Sequence, residues 1–264
     1  MPFVSIRDSP LLPGQSPVRI YYRDLGQGPP LVILHGGWGY EFYPYTDAIE
    51  RLLNRFVIPD RTGYGRSSHI EALPPAFHTA AAVETEAVQD ALGLTRCVLW
   101  GHSDGAVIAA ILALRQPERY RGIILEALHL DREKPRSREF FRGMAQDPDG
   151  LGEGVTRKLA AEHGAGYWRT LIRAGGQAWL DIAATPEDDF FQHRLAELAV
   201  PALVLHGRHD PRTEPGELDR IRPFARVEIL EDAGHSPHSE RSSAVRCTDV
   251  VRDFLGSLSP AGQR

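Results

Sequence analysis

The segment whose residue types most directly suggest covalent chemistry is Gly101-His-Ser-Asp-Gly105, a serine with a glycine two residues away on each side. It follows the β-rich run Cys97–Trp100 and precedes an apolar run that starts at Ala106. On so sharp a strand-to-helix turn, a serine presents its hydroxyl at the carboxyl end of a sheet, above a helix N-terminus. The glycines have a steric task there. The central position needs a strained backbone, and side chains at 101 and 105 would clash. Ser103 is therefore the nucleophile candidate. A hydroxyl is a weak nucleophile until an adjacent base takes its proton and a third group orients that base.

Both partners are expected on loops after later strands, in the order acid and then histidine. Asp210 stands in His206-Gly-Arg-His-Asp210-Pro, directly after the apolar run Ala202–Leu205 and 107 residues beyond Ser103. His235 stands in Ala233-Gly-His235, after the run ending at Leu230 and 25 residues beyond Asp210. Sites in open α/β sheets collect at these carboxyl ends. There are 11 histidines, and His238, His209 and His102 are the rivals nearest in sequence. His238 reads as the first turn of the last helix, His209 points elsewhere, and His102 belongs to the turn itself. Glu126, which ends the run Gly122–Leu125, is the alternative acid.

A tetrahedral intermediate also needs N–H donors already aimed at its oxygen. His35-Gly-Gly-Trp-Gly39 follows the run Leu31–Leu34. It supplies Gly37 N–H, with Trp38 N–H as the alternate, and the residue after the nucleophile supplies Asp104 N–H. The aromatic set Trp38, Tyr40, Phe42, Tyr43 and Tyr45 divides between pocket wall and core. Trp38 and Tyr40, nearest the donor loop, are assigned to the wall.

These residues need elements to hold them. Short apolar runs at Leu31–Leu34, Phe56–Ile58, Cys97–Trp100, Gly122–Leu125 and Ala202–Leu205 fit strands buried on both faces of a parallel sheet. Val18–Arg23 and Val227–Leu230 are more mixed strand candidates. Helix-length stretches lie between them at Thr46–Leu53, Thr79–Leu92, Ala106–Gln116 and Ser239–Leu255. This alternation predicts an α/β fold with a mostly parallel central sheet flanked by helices. It breaks between about Leu128 and Leu198, where Trp168, Leu171, Ile172, Trp179 and Ile182 recur at near-helical spacing. The expected organisation is a core of residues 1–127 and 199–264 with a helical cap inserted at 128–198.

Composition narrows the function. Lys+Arg 30 against Asp+Glu 35 gives a net charge of −5, without the basic footprint of a nucleic-acid binder. The longest unbroken apolar run, Ala106–Leu114, is nine residues, against roughly 20 for a membrane span. Two cysteines make neither a disulfide framework nor a metal site. The expectation is a cytoplasmic protein acting on a small molecule, with no metal, no organic cofactor and no nucleic-acid or membrane partner.

His35-Gly36-Gly37, Asp60-Arg-Thr-Gly-Tyr-Gly65-Arg-Ser, Gly101-His-Ser-Asp-Gly105, His206-Gly-Arg-His-Asp210 and Gly234-His235 stand in the order of the landmarks of the α/β-hydrolase fold family, which the chain resembles from about Val18 to Leu255. The resemblance implies the serine-nucleophile branch, because epoxide hydrolases and haloalkane dehalogenases have aspartate at the position of Ser103. The His-Gly-Gly loop is similar to that of prolyl iminopeptidases, with Trp38 in place of their proline. The Ser-Asp-Gly elbow is similar to that of valacyclovir hydrolase-like enzymes, in which an acidic group pairs with the substrate's ammonium. Asp104 then has two readings: a partner for an amino ester, or an acid favoured by the macrodipole in a first helical turn. The expected activity is cleavage of a small carboxylic ester through an acyl-enzyme. The alternatives are an amidase or aminopeptidase, a C–C bond hydrolase, a cofactor-free perhydrolase, and a ligand-binding protein on the same fold.

Overall fold

A computed structural model of the chain describes residues 3–258. Eight strands form one sheet: β1 (Phe3–Ile6), β2 (Val18–Leu25), β3 (Pro30–Leu34), β4 (Arg55–Pro59), β5 (Cys97–His102), β6 (Tyr120–Glu126), β7 (Ala202–Gly207) and β8 (Arg226–Leu230). Their order is β1-β2-β4-β3-β5-β6-β7-β8, and β2 alone runs against the rest. The edge strand β1 was not foreseen; its Phe-Val-Ser-Ile run is only four residues long.

The central strands read as continuous apolar runs because both faces of the sheet are covered. In β5, Cys97 and Leu99 point into one core layer, while Val98 and Trp100 point into the other. The first layer is closed by α2 (Phe77–Ala91) and α3 (Asp104–Arg115), the second by α1 (Thr46–Arg51) and α7 (Ala244–Ser257). α3 is buried along nearly its whole length, which accounts for its Ala, Ile and Leu on every side.

Between β6 and β7 the described chain holds three α-helices and no strand: α4 (Arg138–Gln146), α5 (Glu153–His163) and α6 (Trp168–Ala183). α4 and α6 pack so closely at Gly176 that a Cβ there would stand 2.5 Å from Ala145 N and 2.7 Å from Phe141 O. Several polar contacts fasten this helical segment to the sheet. His163 Nε2 donates to Trp38 O (3.0 Å), and Gly65 N–H donates to His163 Nδ1 (3.0 Å). Both carboxylate oxygens of Glu162 accept backbone N–H groups, from Glu41 (2.9 Å) and Phe42 (3.0 Å). Lys134 Nζ, buried, pairs with the buried Glu217 on the segment between β7 and β8.

One boundary corrects the sequence reading. The last helix starts at Ala244 rather than Ser239, so His238 lies outside it. The preceding turn is held instead by Glu240, whose carboxylate accepts Gly234 N–H (2.7 Å) and Ser236 N–H (2.8 Å).

Candidate active site

Ser103 sits at φ 55°, ψ −118°, between the end of β5 and the start of α3. Such a conformation costs a non-glycine residue roughly 1–3 kcal/mol and persists only where its surroundings enforce it. The glycines on either side permit the close approach. A Cβ on Gly101 would stand 2.0 Å from Gly105 O, and one on Gly105 would stand 1.8 Å from Leu34 O. Ser103 N–H is tied to Glu126 O at the tip of β6 (2.8 Å).

The parallel strands carry the other predicted partners to the same edge. His235 Nε2 lies 3.1 Å from Ser103 Oγ. His235 Nδ1 faces both Asp210 oxygens, at 3.0 and 2.9 Å. Nδ1 therefore carries the proton, and Nε2 is free to accept from the Ser103 hydroxyl. Burial pulls His235 below its ordinary range, and the charge of Arg212 adds to this; Asp210 opposes both without overturning them. Burial raises Asp210, but His235, His206 and the Arg212 N–H outweigh it and hold the carboxyl well below the usual range. The resting pair is a neutral imidazole on a carboxylate.

The rival residues have other partners. Glu126 accepts from His238 Nδ1 (2.7 Å), His238 N–H (3.0 Å) and Trp100 Nε1–H (2.9 Å), all buried beneath the site. His238 Nε2 faces Tyr43 O (2.9 Å). Both nitrogens of His238 thus face oxygens, one on Glu126 and one on Tyr43, and neither faces Ser103. His209 is exposed. His102 donates from Nε2 to His235 O (3.0 Å), which steadies the base loop. His102, Glu126 and His238 bring ligand-type atoms within 4.8 Å of one another, but these hydrogen bonds already occupy most of those atoms.

The donor loop is held by His35. Its Nδ1–H bonds Gly36 O (2.8 Å), and its Nε2 accepts Arg61 N–H (3.1 Å). Gly37 and Trp38 line the pocket above Ser103, as do Asp104 and His235. Asp104 is buried at the start of α3, and its Oδ1 accepts from His78 Nε2 (3.1 Å) and Trp179 Nε1 (3.1 Å). A Cβ on Gly37 would stand 2.8 Å from Asp104 Oδ2, so the carboxylate lies close beside the donor loop rather than turned away from it. Burial raises Asp104, but His78, Arg61 and Trp179 together outweigh it, and the group is ionised.

Tyr40 requires correction. Its ring is buried against Tyr45 (centroids 6.3 Å apart, 3° between planes), under the Arg23 guanidinium. It does not line the pocket, and Tyr43 does. A run of closely spaced aromatics carries no period that separates wall from core.

Sequence reasoning missed two residues. His129 Nε2 lies 3.2 Å from Ser103 Oγ, so this oxygen stands between two imidazoles. A left-handed turn at Ala127 (φ 52°), just past β6, carries His129 over Ser103. Burial, Lys134 and His235 push this ring well below the ordinary histidine range, so it is neutral. Because Ser103 O–H donates to His235, His129 must donate its own Nε2–H to Oγ. Arg212 is the second: it also lines the pocket. The only advance signal for either was its distance along the chain from a strand end. The space in this pocket open to the centres of water-sized molecules is about 40 Å³.

The alpha/beta hydrolase family model matches residues 31–246, and the chain belongs to that family. It is 28% identical to the sn-1-specific diacylglycerol lipase ABHD11 of Xenopus tropicalis, over 90% of this chain and 79% of the lipase. It is 26% identical to a 2-hydroxy-6-oxononadienedioate/2-hydroxy-6-oxononatrienedioate hydrolase of Paraburkholderia phymatum, over 93% of this chain and 94% of that protein. Among solved structures, a thermophilic esterase from Thermogutta terrifontis superposes with a TM-score of 0.70 at 24% identity, covering 96% of this chain and 98% of the esterase.

Proposed function

We propose that the protein is a serine hydrolase that cleaves a small-molecule carboxylic ester through an acyl-enzyme at Ser103. The observation that carries this reading is the chain Ser103 Oγ – His235 Nε2 (3.1 Å), His235 Nδ1 – Asp210 (2.9 Å), at the mouth of a mostly apolar pocket. In the first half-reaction Oγ attacks the ester carbon while its proton passes to His235 Nε2. Asp210 stabilises the imidazolium that forms. The carbonyl oxygen, now an oxyanion, is held by the N–H groups of Asp104 and Gly37, with Trp38 N–H as the alternate donor. Collapse breaks the C–O bond, and His235 returns its proton to the departing alcohol. In the second half-reaction His235 takes a proton from water, whose oxygen attacks the acyl carbon. Oγ leaves with that proton, and the acid is released. His129 positions Oγ throughout, because its Nε2–H can bond the oxygen only over a narrow range of serine rotamers.

A second reading, in which the ester carries an α-ammonium, draws on Asp104, an ionised carboxylate at the pocket wall. It predicts that Asp104→Asn loses more kcat/KM on an α-amino ester than on its desamino analogue; equal losses would remove it.

The first reading is tested with p-nitrophenyl butyrate. Turnover is expected from the wild type, with a fall of at least about 10³-fold in Ser103→Ala. Saturable ligand binding with no turnover across an ester panel would point instead to a receptor on this fold.

A further inference from the structure

The pocket above Ser103 is lined by a guanidinium, that of Arg212, which no carboxylate among the described residues pairs directly. Arg212 follows Asp210 by two residues, and its N–H donates to Asp210 Oδ1 (2.9 Å), which fixes its backbone beside the acid. Its guanidinium lies over the Phe140 ring, 4.3 Å from the centroid, and lines the pocket with Trp38, Tyr43 and His235. Among the described residues this guanidinium makes no ion pair and no side-chain hydrogen bond, whereas Arg23 and Arg115 are each held by carboxylates. Asp104, the other charge in the pocket, is already met by His78 and Trp179. The unmet charge in this pocket is therefore positive.

That cation also bears on the chemistry. After burial, Arg212 is the largest influence depressing His235. A guanidinium at that spot opposes the imidazolium that every turnover must form. An anion bound at Arg212 would pair this half-buried charge and lift that opposition in the same step. A planar guanidinium fork suits a carboxylate, which it can bind through two parallel hydrogen bonds.

We propose that Arg212 recognises a carboxylate on the substrate, so that the favoured esters are those bearing a free carboxylate. This rests on the ester-hydrolase reading of Ser103, and the experiment separates the two. The probes are two pairs: monomethyl glutarate against methyl valerate, and butyryloxyacetate against ethyl butyrate. The first pair carries the charge on the acyl side, the second on the alcohol side. In the wild type, kcat/KM for the anionic member of at least one pair is expected to exceed that for its neutral partner by about tenfold or more. Arg212→Gln should collapse that ratio, and Arg212→Lys should keep an intermediate part of it. Ratios near one in both pairs, or a ratio that survives Arg212→Gln, would overturn the proposal. Should Arg212→Gln fail to fold, inhibition of the wild type decides: glutaramate is expected to inhibit more strongly than uncharged glutaramide, and equal inhibition overturns the inference. Ser103-dependent hydrolysis of the neutral esters with flat ratios would sink only the role of Arg212. Absence of Ser103-dependent hydrolysis from every probe would sink the ester reading as well.

Discussion

At the scale of single residues, the site depends on how protons are shared around one oxygen. Ser103 Oγ has a partner on each side, His235 at 3.1 Å and His129 at 3.2 Å, and only His235 is backed by a carboxylate. That asymmetry makes His235 the acceptor and His129 the donor. His129→Ala should therefore lower kcat by about tenfold to a hundredfold with little change in KM, the worth of one or two hydrogen bonds. His129→Gln, which keeps an N–H donor, should recover part of the loss. Undiminished kcat in His129→Ala would refute the positioning role. The same proton inventory sets the pH profile. On the proposed mechanism activity needs neutral His235, and burial with Arg212 lowers its pKa from 6.5. The neutral form is lost as pH falls through the lowered value, so the acid limb of kcat/KM should have its midpoint below 6.5. A midpoint above 6.5 would contradict this account of its surroundings.

At the scale of elements, strand ends set the positions and the helical segment closes over them. The strands that place Ser103, Asp210 and His235 were legible in the sequence because each is an apolar run ended by glycine or a polar residue. The contacts of Glu162 and His163 with the loop after β3 were not legible, since they join positions about 120 residues apart and leave no local pattern. His129 and Arg212 escaped for a related reason. They lie three and five residues past the ends of β6 and β7, where backbone turns rather than periodicity decide direction. Tyr40 was misplaced on proximity alone. The Glu162 contact carries its own prediction. Burial, with the nearby charges of Asp60 and Glu41, pushes its carboxyl up to about 7 against the backbone N–H bonds it accepts. Between 4.5 and about 7 the folded protein keeps a proton that the unfolded chain has lost, so this group's contribution to stability falls as pH rises across that window. Thermal melts from pH 4 to 8 should show Glu162→Gln flattening that slope. An unchanged slope would mean that Glu162 does not titrate as its surroundings require.

At the scale of the whole molecule, one sheet gathers residues from distant parts of the chain. The parallel strands β3, β5, β6, β7 and β8 all release their loops at the same edge, so Gly37, Ser103, His129, Asp210 and His235 converge there. Beneath them the Glu126–His238 pair joins β6 to the loop after β8 and must stay intact for the site to keep its shape. His238→Ala would leave the buried Glu126 carboxylate without its ring donor, at a cost of about 1–3 kcal/mol. Denaturant unfolding measures this directly; a loss under 1 kcal/mol would show that Glu126 is not held as a carboxylate. The account as a whole stands on Ser103 forming a covalent acyl-enzyme. Its most direct test is intact-mass and peptide mapping of the protein after reaction with a serine-reactive fluorophosphonate. The expected result is a single adduct on Ser103, absent from Ser103→Ala and slowed strongly in His235→Ala. Labelling at another residue, or unlabelled protein that still hydrolyses esters, would contradict it.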